Sequence, residues 1–342
     1  MENPRLKATD RVTIPMMMHP LFRVEKAIQD GVERNLLFRT FGGIGDAVCA
    51  EPTLRYALKM FKGCKISLVS EHPELFTHLN FHEVFDLKTS KPDYDKYLLF
   101  DTITPPDDSN MVWLFFSHML TNCVDFPSMC ALRLQLPVAD KEICLFGEEP
   151  KDLPDEIKHR IINGVIVHPG RHWQSKTFPK QFWDTVLAGL KSQKITPIII
   201  GGDADDNRGT VNVDTSDCID LRNKLTLQES IWALKRAAVL LTNDSAPLHM
   251  AASGDAFIGF IATCKHPDLI SHWRNGEWSW REKNFGKGGI WDTVDFCPNK
   301  GEKVEAEFVA PELLKTWLPD PYIMASWAAE RRRNTLYERG PV

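Results

Sequence analysis

The chain has 342 residues, enough for two domains that each bury a core of their own. With 43% apolar residues, 25% charged residues, 20 Gly and 22 Pro, its composition excludes wholesale disorder, collagen and a coiled coil. Lys plus Arg number 41 against 46 Asp plus Glu, a net charge of −5, so no overall positive field draws the chain to nucleic acid or anionic lipid, and any such binding needs a local patch.

Residues 1–34 show no clean period and are broken by Pro15 and Pro20; they are expected as an N-terminal extension with one short helix over 21–31. Asn35-Leu-Leu-Phe-Arg-Thr40 reads as a short apolar strand running into Phe41-Gly-Gly-Ile-Gly-Asp46, and residues 47–61 carry helical spacing. β-rich runs follow at 65–70, 83–86 and 96–100, and the aromatic stretch 111–120 is expected as a packed core element. Charged Glu148-Glu-Pro-Lys-Asp-Leu-Pro-Asp155, with two prolines, marks a linker over 148–158 between a first domain of 35–147 and a second of 159–310. The second series predicts strands at 164–168, 196–200, 238–242 and 257–261, and helices at 180–190, at 227–238 and from Leu248. Residues 311–342 are expected as a C-terminal helical tail. Such alternation of β and α predicts the α/β class with doubly wound parallel sheets.

The longest apolar runs, 256–262 and 197–200, fall far below the roughly 20 residues of a membrane span. Glu2, Asn3 and Pro4 open a charged stretch with no apolar segment suited to a secretory signal, so a cytoplasmic setting is expected. The eight cysteines, at 49, 64, 123, 130, 144, 218, 264 and 297, form no Cys-x-x-Cys pair and are expected as reduced thiols. The eleven histidines show no metal-binding spacing, so no structural metal is expected.

Three turns carry the candidate chemistry. Gly42, Gly43 and Gly45 place permissive backbone between a strand and a helix, where N–H groups and the helix dipole favour an anion or an oriented polar ligand. Asp46 then sits at the crevice, either as a reactive carboxylate or as a residue that merely accepts N–H bonds at a helix start. The pattern is neither Gly-x-Gly-x-x-Gly nor a Walker loop, which counts against a dehydrogenase and a P-loop enzyme. Arg171, Ser175 and Lys176 follow the strand that ends at His168, beyond the carboxyl end of the sheet; two cations and a hydroxyl suit a diphosphate. His168 and His172 read as packing or hydrogen-bonding residues rather than metal ligands. Asn243-Asp-Ser-Ala-Pro-Leu-His249 again joins strand to helix and combines a carboxylate, a hydroxyl, backbone amides and a histidine, a set able to hold phosphate and sugar hydroxyls. Capping of the helix by Asp244 or Ser245 is the plainer alternative.

Taken in order, Gly42-Gly-Ile-Gly-Asp46 with Glu51-Pro-Thr-Leu-Arg55, His168-Pro-Gly with Lys176-Thr-Phe-Pro179, Gly201-Gly-Asp203 and Asn243-Asp-Ser-Ala-Pro-Leu-His249 resemble glycosyltransferase family 9, the lipopolysaccharide heptosyltransferases, over residues 36–265. The resemblance implies a GT-B fold of two Rossmann-like domains facing across a cleft, with the acceptor mainly on the first and a nucleotide-sugar on the second. It also implies an inverting transfer without a metal or other cofactor. Asp46 takes the place of the family's proposed general base, Lys176 that of the lysine at the donor phosphates, and Asp244, Ser245 and His249 those of the donor-binding turn, with Gly201 and Gly202 bordering the nucleotide. Ala246 stands where the family usually has glycine, which adds a methyl group near the phosphates, and the extension of residues 1–34 departs from the family pattern.

A lipopolysaccharide-core saccharide is the acceptor that the resemblance implies. A second reading is a phage-encoded member, working in the host cytoplasm, that decorates hydroxymethylated pyrimidines in DNA. Its patch would come from Arg274, Arg281, Lys283 and Lys287 interleaved with Trp273, Trp278 and Trp280, or from Arg331-Arg-Arg333 with Arg339, though such residues also serve as packing aromatics and a solvated helix end. A third reading is a nucleotide-binding protein that keeps the fold without turnover.

Overall fold

The structure is a computed structural model that describes residues 35–40, 42–101, 125–134, 136–138, 140–170, 176, 178–202, 212–262, 267–274, 277–278, 280–286 and 319–339. The expected extension 1–34 and the aromatic stretch 111–120 lie outside the described residues, as do Arg171, His172, Ser175, Asp203 and Lys287. The chain divides into two compact units, Met1–Leu145 and Phe146–Val342. The division precedes the charged 148–155 stretch, whose Glu148 N–H donates to the Gln228 carbonyl at 3.2 Å within the second unit.

The first unit runs β1 (Asn35–Arg39), α1 (Ile44–Met60), β2 (Lys65–Ser70), β3 (Glu83–Asp86), β4 (Leu98–Asp101) and α2 (Phe126–Arg133). Its strands form one parallel sheet in the order β3-β2-β1-β4. Leu36, Leu37 and Phe38 are all buried, the continuous apolar run of a strand covered on both faces. Phe38 pairs in register with Phe100 of β4 and stacks on it at 4.8 Å between ring centroids, and Phe61 at the end of α1 closes the cluster. Lys96 belongs to a single 3-10 turn rather than to β4, which starts at Leu98. Helix α1 carries the fully buried Glu51, whose carboxylate accepts from Arg55 Nε at 2.8 Å and from the Cys144 N–H at 2.9 Å. Arg55 also binds Asp140 and the Glu142 carbonyl. The Glu51-x-x-x-Arg55 pair therefore ties the 140–144 segment to the helix.

The second unit holds α3 (Asp155–Ile161), β5 (Val165–His168), α4 (Lys180–Ser192), β6 (Ile198–Ile199), β7 (Ile219–Asp220), α5 (Leu227–Arg236), β8 (Val239–Asn243), α6 (Ala246–Ala251), β9 (Phe257–Ile261), α7 (Pro267–Ile270), a hairpin of β10 (Trp273–Arg274) and β11 (Glu277–Trp278), β12 (Glu282–Asn284) and α8 (Pro321–Arg339). Apart from that hairpin, its strands form a six-stranded parallel sheet in the order β12-β9-β8-β5-β6-β7. Counted along this unit, the order is 3-2-1-4-5-6, the doubly wound arrangement whose connections reverse between β5 and β8.

Helix α8 belongs to the core of this unit: Met324, Ala325 and Ala328 join Trp183, Val186 and Leu190 of α4. Gly189 permits the approach, since a Cβ there would lie 2.9 Å from that of Ala325. The arginines at the helix end are consequently not a detached basic tail. Arg332 Nε donates to the Asn163 carbonyl at 3.1 Å, Arg339 donates to the Asn163 side chain at 3.2 Å, and Arg331 lies over the Phe257 and Trp327 rings.

Candidate functional site

In the first unit the reversal of strand order falls between β1 and β4, so the turn after β1 lies where ligands of open α/β sheets bind. Gly42 takes φ +94°, a conformation that suits glycine, and a Cβ there would sit 2.7 Å from Asp46 Oδ2. Gly43 is the N-cap of α1, so the helix begins at Ile44, three residues before the sequence expectation, and includes Gly45 in its first turn. Asp46 is the third helical residue, half-buried, and its Oδ2 accepts the Gly43 N–H at 2.9 Å. One oxygen thus fastens the carboxylate across the turn, and the helix N-terminus favours its negative charge.

In the second unit the reversal falls between β5 and β8, where His168, the last residue of β5, is in register with Thr242. Both loops expected to bind the donor start there. Lys176 comes back to the turn after β8 and its ammonium meets Asp244 Oδ2 at 2.6 Å. Asp244 is 2% exposed and Lys176 21%, so the anion is buried while the cation stays partly exposed. Asn243 donates through Nδ2 to the Lys176 carbonyl, which fixes the backbone of the lysine loop. Gly170, at φ +94°, lets that loop leave the strand: a Cβ there would fall 2.4 Å from Asn243 Nδ2.

Ser245 is the N-cap of α6, yet its hydroxyl makes no capping bond. It turns instead to His168 Nδ1 and Thr242 Oγ1, each at 3.2 Å, and these two are also 3.2 Å apart. His168 is therefore a hydrogen-bonding residue, as expected. The capping alternative fails for both side chains, since Asp244 is committed to Lys176. Ala246 and Pro247 form the first turn of α6, which starts two residues before Leu248. Pro247 has no N–H and that of Leu248 goes to the Ser245 carbonyl at 3.0 Å, so the amides this turn can offer an anion are those of Ser245 and Ala246. Gly201 and Gly202 follow β6 on the other side of β5; the Gly201 carbonyl accepts from the Asn223 N–H at 3.0 Å.

Behind Asp244 the motif's His249 is joined to His272 and Glu282, which the motifs did not indicate. His249 Nε2 faces Asp244 Oδ1 at 4.0 Å, and its Nδ1 is 2.8 Å from His272 Nε2. His272 in turn contacts Glu282 twice, Nδ1 to Oε1 at 3.0 Å and backbone N–H to Oε2 at 3.1 Å. Arg274 closes the chain, 3.5 Å from Glu282 and bonded at 3.0 Å to the Gly254 and Ala256 carbonyls. All of these side chains are buried. Burial and the neighbouring His272 push the His249 imidazole down to about 3, against the opposing pull of Asp244. Arg274, read from sequence as part of a surface patch, is an internal ion-pair residue. Trp280 remains 65% exposed, with Arg281 4.9 Å from its ring centroid.

No helix among the described residues is long and apolar enough to cross a membrane. Residues 108–257 match the model of glycosyltransferase family 9 (heptosyltransferase). That match contains Lys176, Gly201, Gly202 and the 243–249 turn, and Asp46 lies before it. No curated protein matches the chain. Among solved structures it is similar to the iron-containing dodecameric glycosyltransferase TibC of enterotoxigenic E. coli H10407, at 15% identity over 90% of this chain and 80% of that one, with a TM-score of 0.61. TibC in complex with ADP-D-beta-D-heptose gives 15% identity, 90% and 79% coverage and a TM-score of 0.62. The glycosyl transferase family 9 protein of Veillonella parvula DSM 2008 gives 13% identity, 90% and 98% coverage and 0.57. The ADP-heptose lps heptosyltransferase II of E. coli gives 12% identity, 87% and 99% coverage and 0.50. At these identities the likeness shows the fold, the two parallel α/β units of the GT-B class, while the similarity to glycosyltransferase family 9 rests on residues 108–257.

Proposed function

We propose that the protein moves a sugar from a nucleotide-sugar to an acceptor hydroxyl with inversion at the anomeric carbon. The observation that carries this reading is the Lys176–Asp244 ion pair at the strand reversal of the second unit, a buried anion paired with a partly exposed cation. A lysine ammonium has three donors, so Lys176 can keep Asp244 and still reach a diphosphate. Arg171 and the Ser245 and Ala246 amides complete the phosphate cradle, Gly201 and Gly202 border the nucleotide, and Asp244 with His249 faces the sugar. In the reaction the acceptor oxygen bonds to the anomeric carbon, Asp46 takes the hydroxyl proton, and the bond to the diphosphate oxygen breaks while Lys176 balances the growing charge. Lysine and arginine supply that charge in place of a metal or other cofactor. The family and a neighbour solved with ADP-D-beta-D-heptose favour an ADP-heptose donor and a saccharide acceptor of lipopolysaccharide-core type. The DNA reading is weaker because Arg274, the first member of its patch, is buried against Glu282.

The test is release of nucleoside diphosphate from ADP-heptose and other nucleotide-sugars by the purified protein, with a lipopolysaccharide-core acceptor and with hydroxymethylated DNA in parallel, each in the presence of EDTA. Release should require an acceptor, survive the chelator and fall at least tenfold in Lys176→Met through a raised donor KM or a lowered kcat. Ligand-induced thermal shifts without release would instead mark a binding protein.

A further inference from the structure

The amino end of the second unit's sheet carries a surface that the donor turns do not use. Phe257 opens β9 there, about 13 Å from Ile261, which stands in register with Asn243 at the carboxyl end. Phe257 meets Trp280 at 5.5 Å and Trp327 at 6.5 Å between ring centroids, and Trp327 meets Phe285 at 5.4 Å, all edge to face. Three cations lie over these rings. Arg281 is 4.9 Å from the Trp280 centroid and 5.2 Å from that of Phe257, Arg331 is 5.6 Å from Phe257 and 6.0 Å from Trp327, and Lys283 is 5.0 Å from Phe285. A carboxylate cancels the charge of the cation it binds, whereas a ring face attracts the cation through its quadrupole and leaves the charge in place. Among the described residues neither Arg331 nor Lys283 has a carboxylate partner, and Lys283 is exposed on the edge strand β12. Arg281 is held in position by a 2.7 Å bond from Nη1 to the Asp255 carbonyl.

We propose that Trp280, Arg281, Lys283 and Arg331 form a docking surface for an anionic phospholipid bilayer, with the exposed indole seated among the headgroups and the three cations against their phosphates. A tryptophan, apolar in body with one N–H at its edge, suits that depth, and each cation close to an anionic leaflet adds to binding. Single-stranded nucleic acid is the other polyanion with a use for tryptophan, but it needs ring faces open to successive bases. Here Arg281 lies over Trp280, and Phe257 and Trp327 are buried, so the surface offers one exposed ring among three charges rather than a stacking track. The net charge of −5 supplies no long-range attraction, so the contact acts at short range and requires anionic lipid rather than any bilayer. Docking at the amino end of the sheet leaves Lys176 and Asp244 uncovered, and the proposal holds whether or not the protein transfers a sugar.

The experiment is flotation of the purified full-length protein with vesicles of phosphatidylcholine alone and of equal parts phosphatidylcholine and phosphatidylglycerol. The protein should float with the mixed vesicles at about 0.1 M salt, stay behind with phosphatidylcholine, and be released at about 1 M, where the screening length falls to roughly 3 Å. Lys283→Gln should lower the partition coefficient about fivefold, the share of one cation, and Trp280→Ala should lower it several-fold. Both side chains are exposed, so the melting temperature should not change. Lys151→Gln, which removes the same charge from the exposed segment before α3, should leave flotation as it is. The proposal is overturned by no flotation with the mixed vesicles, by equal flotation with phosphatidylcholine alone, or by equal losses in Lys151→Gln and Lys283→Gln. A single-stranded oligonucleotide that binds the wild type and is lost in Trp280→Ala and Lys283→Gln, without flotation, would assign the surface to nucleic acid instead.

Discussion

The His249 ring should make the second unit sensitive to acid, by an amount that can be worked out. His249 is buried beside His272, with Asp244 and Lys176 as the other charged groups facing it, and its proton affinity in the folded chain is lowered from 6.5 to about 3. Between those values the unfolded chain binds a proton that the folded chain refuses. Stability contributed by the neutral ring is thus fully present above pH 6.5 and is lost as the pH falls towards 3. A unit of pH is worth at most 1.36 kcal/mol, so from pH 6.5 to 4.5 the loss comes to about 2–3 kcal/mol. His249→Asn retains a side-chain N–H near the position of Nδ1 but has no titrating group. Urea unfolding of the wild type and of His249→Asn at pH 6.5, 5.5 and 4.5 measures the effect as the difference between two pH slopes, which cancels other groups such as His72, also pushed down by its burial. The wild type should lose about 2–3 kcal/mol more than the variant over this range. Parallel slopes would refute both the buried neutral ring and the energetics drawn from it.

Other substitutions probe the supports of the two turns. Arg55→Met leaves the fully buried Glu51 without its principal cation and should cost about 3–5 kcal/mol in urea unfolding, with faster hydrogen exchange at the Cys144 N–H; a loss below 1 kcal/mol would show that the pair does not anchor the 140–144 segment. Gly170→Ala introduces a Cβ at φ +94° and 2.4 Å from Asn243 Nδ2, so a loss of about 2 kcal/mol and a weakened grip on the Lys176 loop are expected, the latter read as a raised donor KM. Asp46→Asn preserves an acceptor for the Gly43 N–H but cannot take a proton, so kcat should drop about 10²–10⁴-fold with unchanged melting temperature; near-normal turnover would remove Asp46 from catalysis.

The parts of this molecule that could be read from sequence are those where one local rule decides. A buried run such as Leu36-Leu-Phe38 followed by glycines can only be a strand and a turn, and the same holds for residues 164–170 and 239–243. Strands β7 and β12 escaped because each has only two or three residues and β12, Glu-Lys-Asn at a sheet edge, needs no apolar run. Helix α8 was visible as a helix but not as core, because its many arginines mask the stripe formed by Met324, Ala325 and Ala328. The motif marked His249 but gave no sign of its buried neighbours: His249 and His272 stand 23 residues apart and His272 and Glu282 ten, and only the tertiary packing unites them. Arg274 illustrates the same limit, since alternating Arg and Trp read equally well as a surface patch and as a buried carbonyl clamp.

A common logic connects the turns of the two units. Each follows the first strand of a parallel sheet at the point where strand order reverses, so the fold delivers two equivalent crevices and leaves their chemistry to the next few residues. After β1 the third helical position holds Asp46, and its carboxylate bends back onto its own N-terminus, where a negative charge is stabilised yet stays near solvent. After β5 the loop brings a cation instead, and the anion it needs comes from the neighbouring strand as Asp244. Because that anion is almost wholly buried, it would be unstable without a permanent partner, and a permanent partner would ordinarily be silent chemically. Lys176 meets both demands by staying partly exposed while it pairs with Asp244. The acid-slope measurement on His249 bears on the same anion from behind: a ring that stays neutral in the folded chain adds no positive charge beside Asp244, whereas parallel slopes would mean that it takes up a proton there as readily as in the unfolded chain.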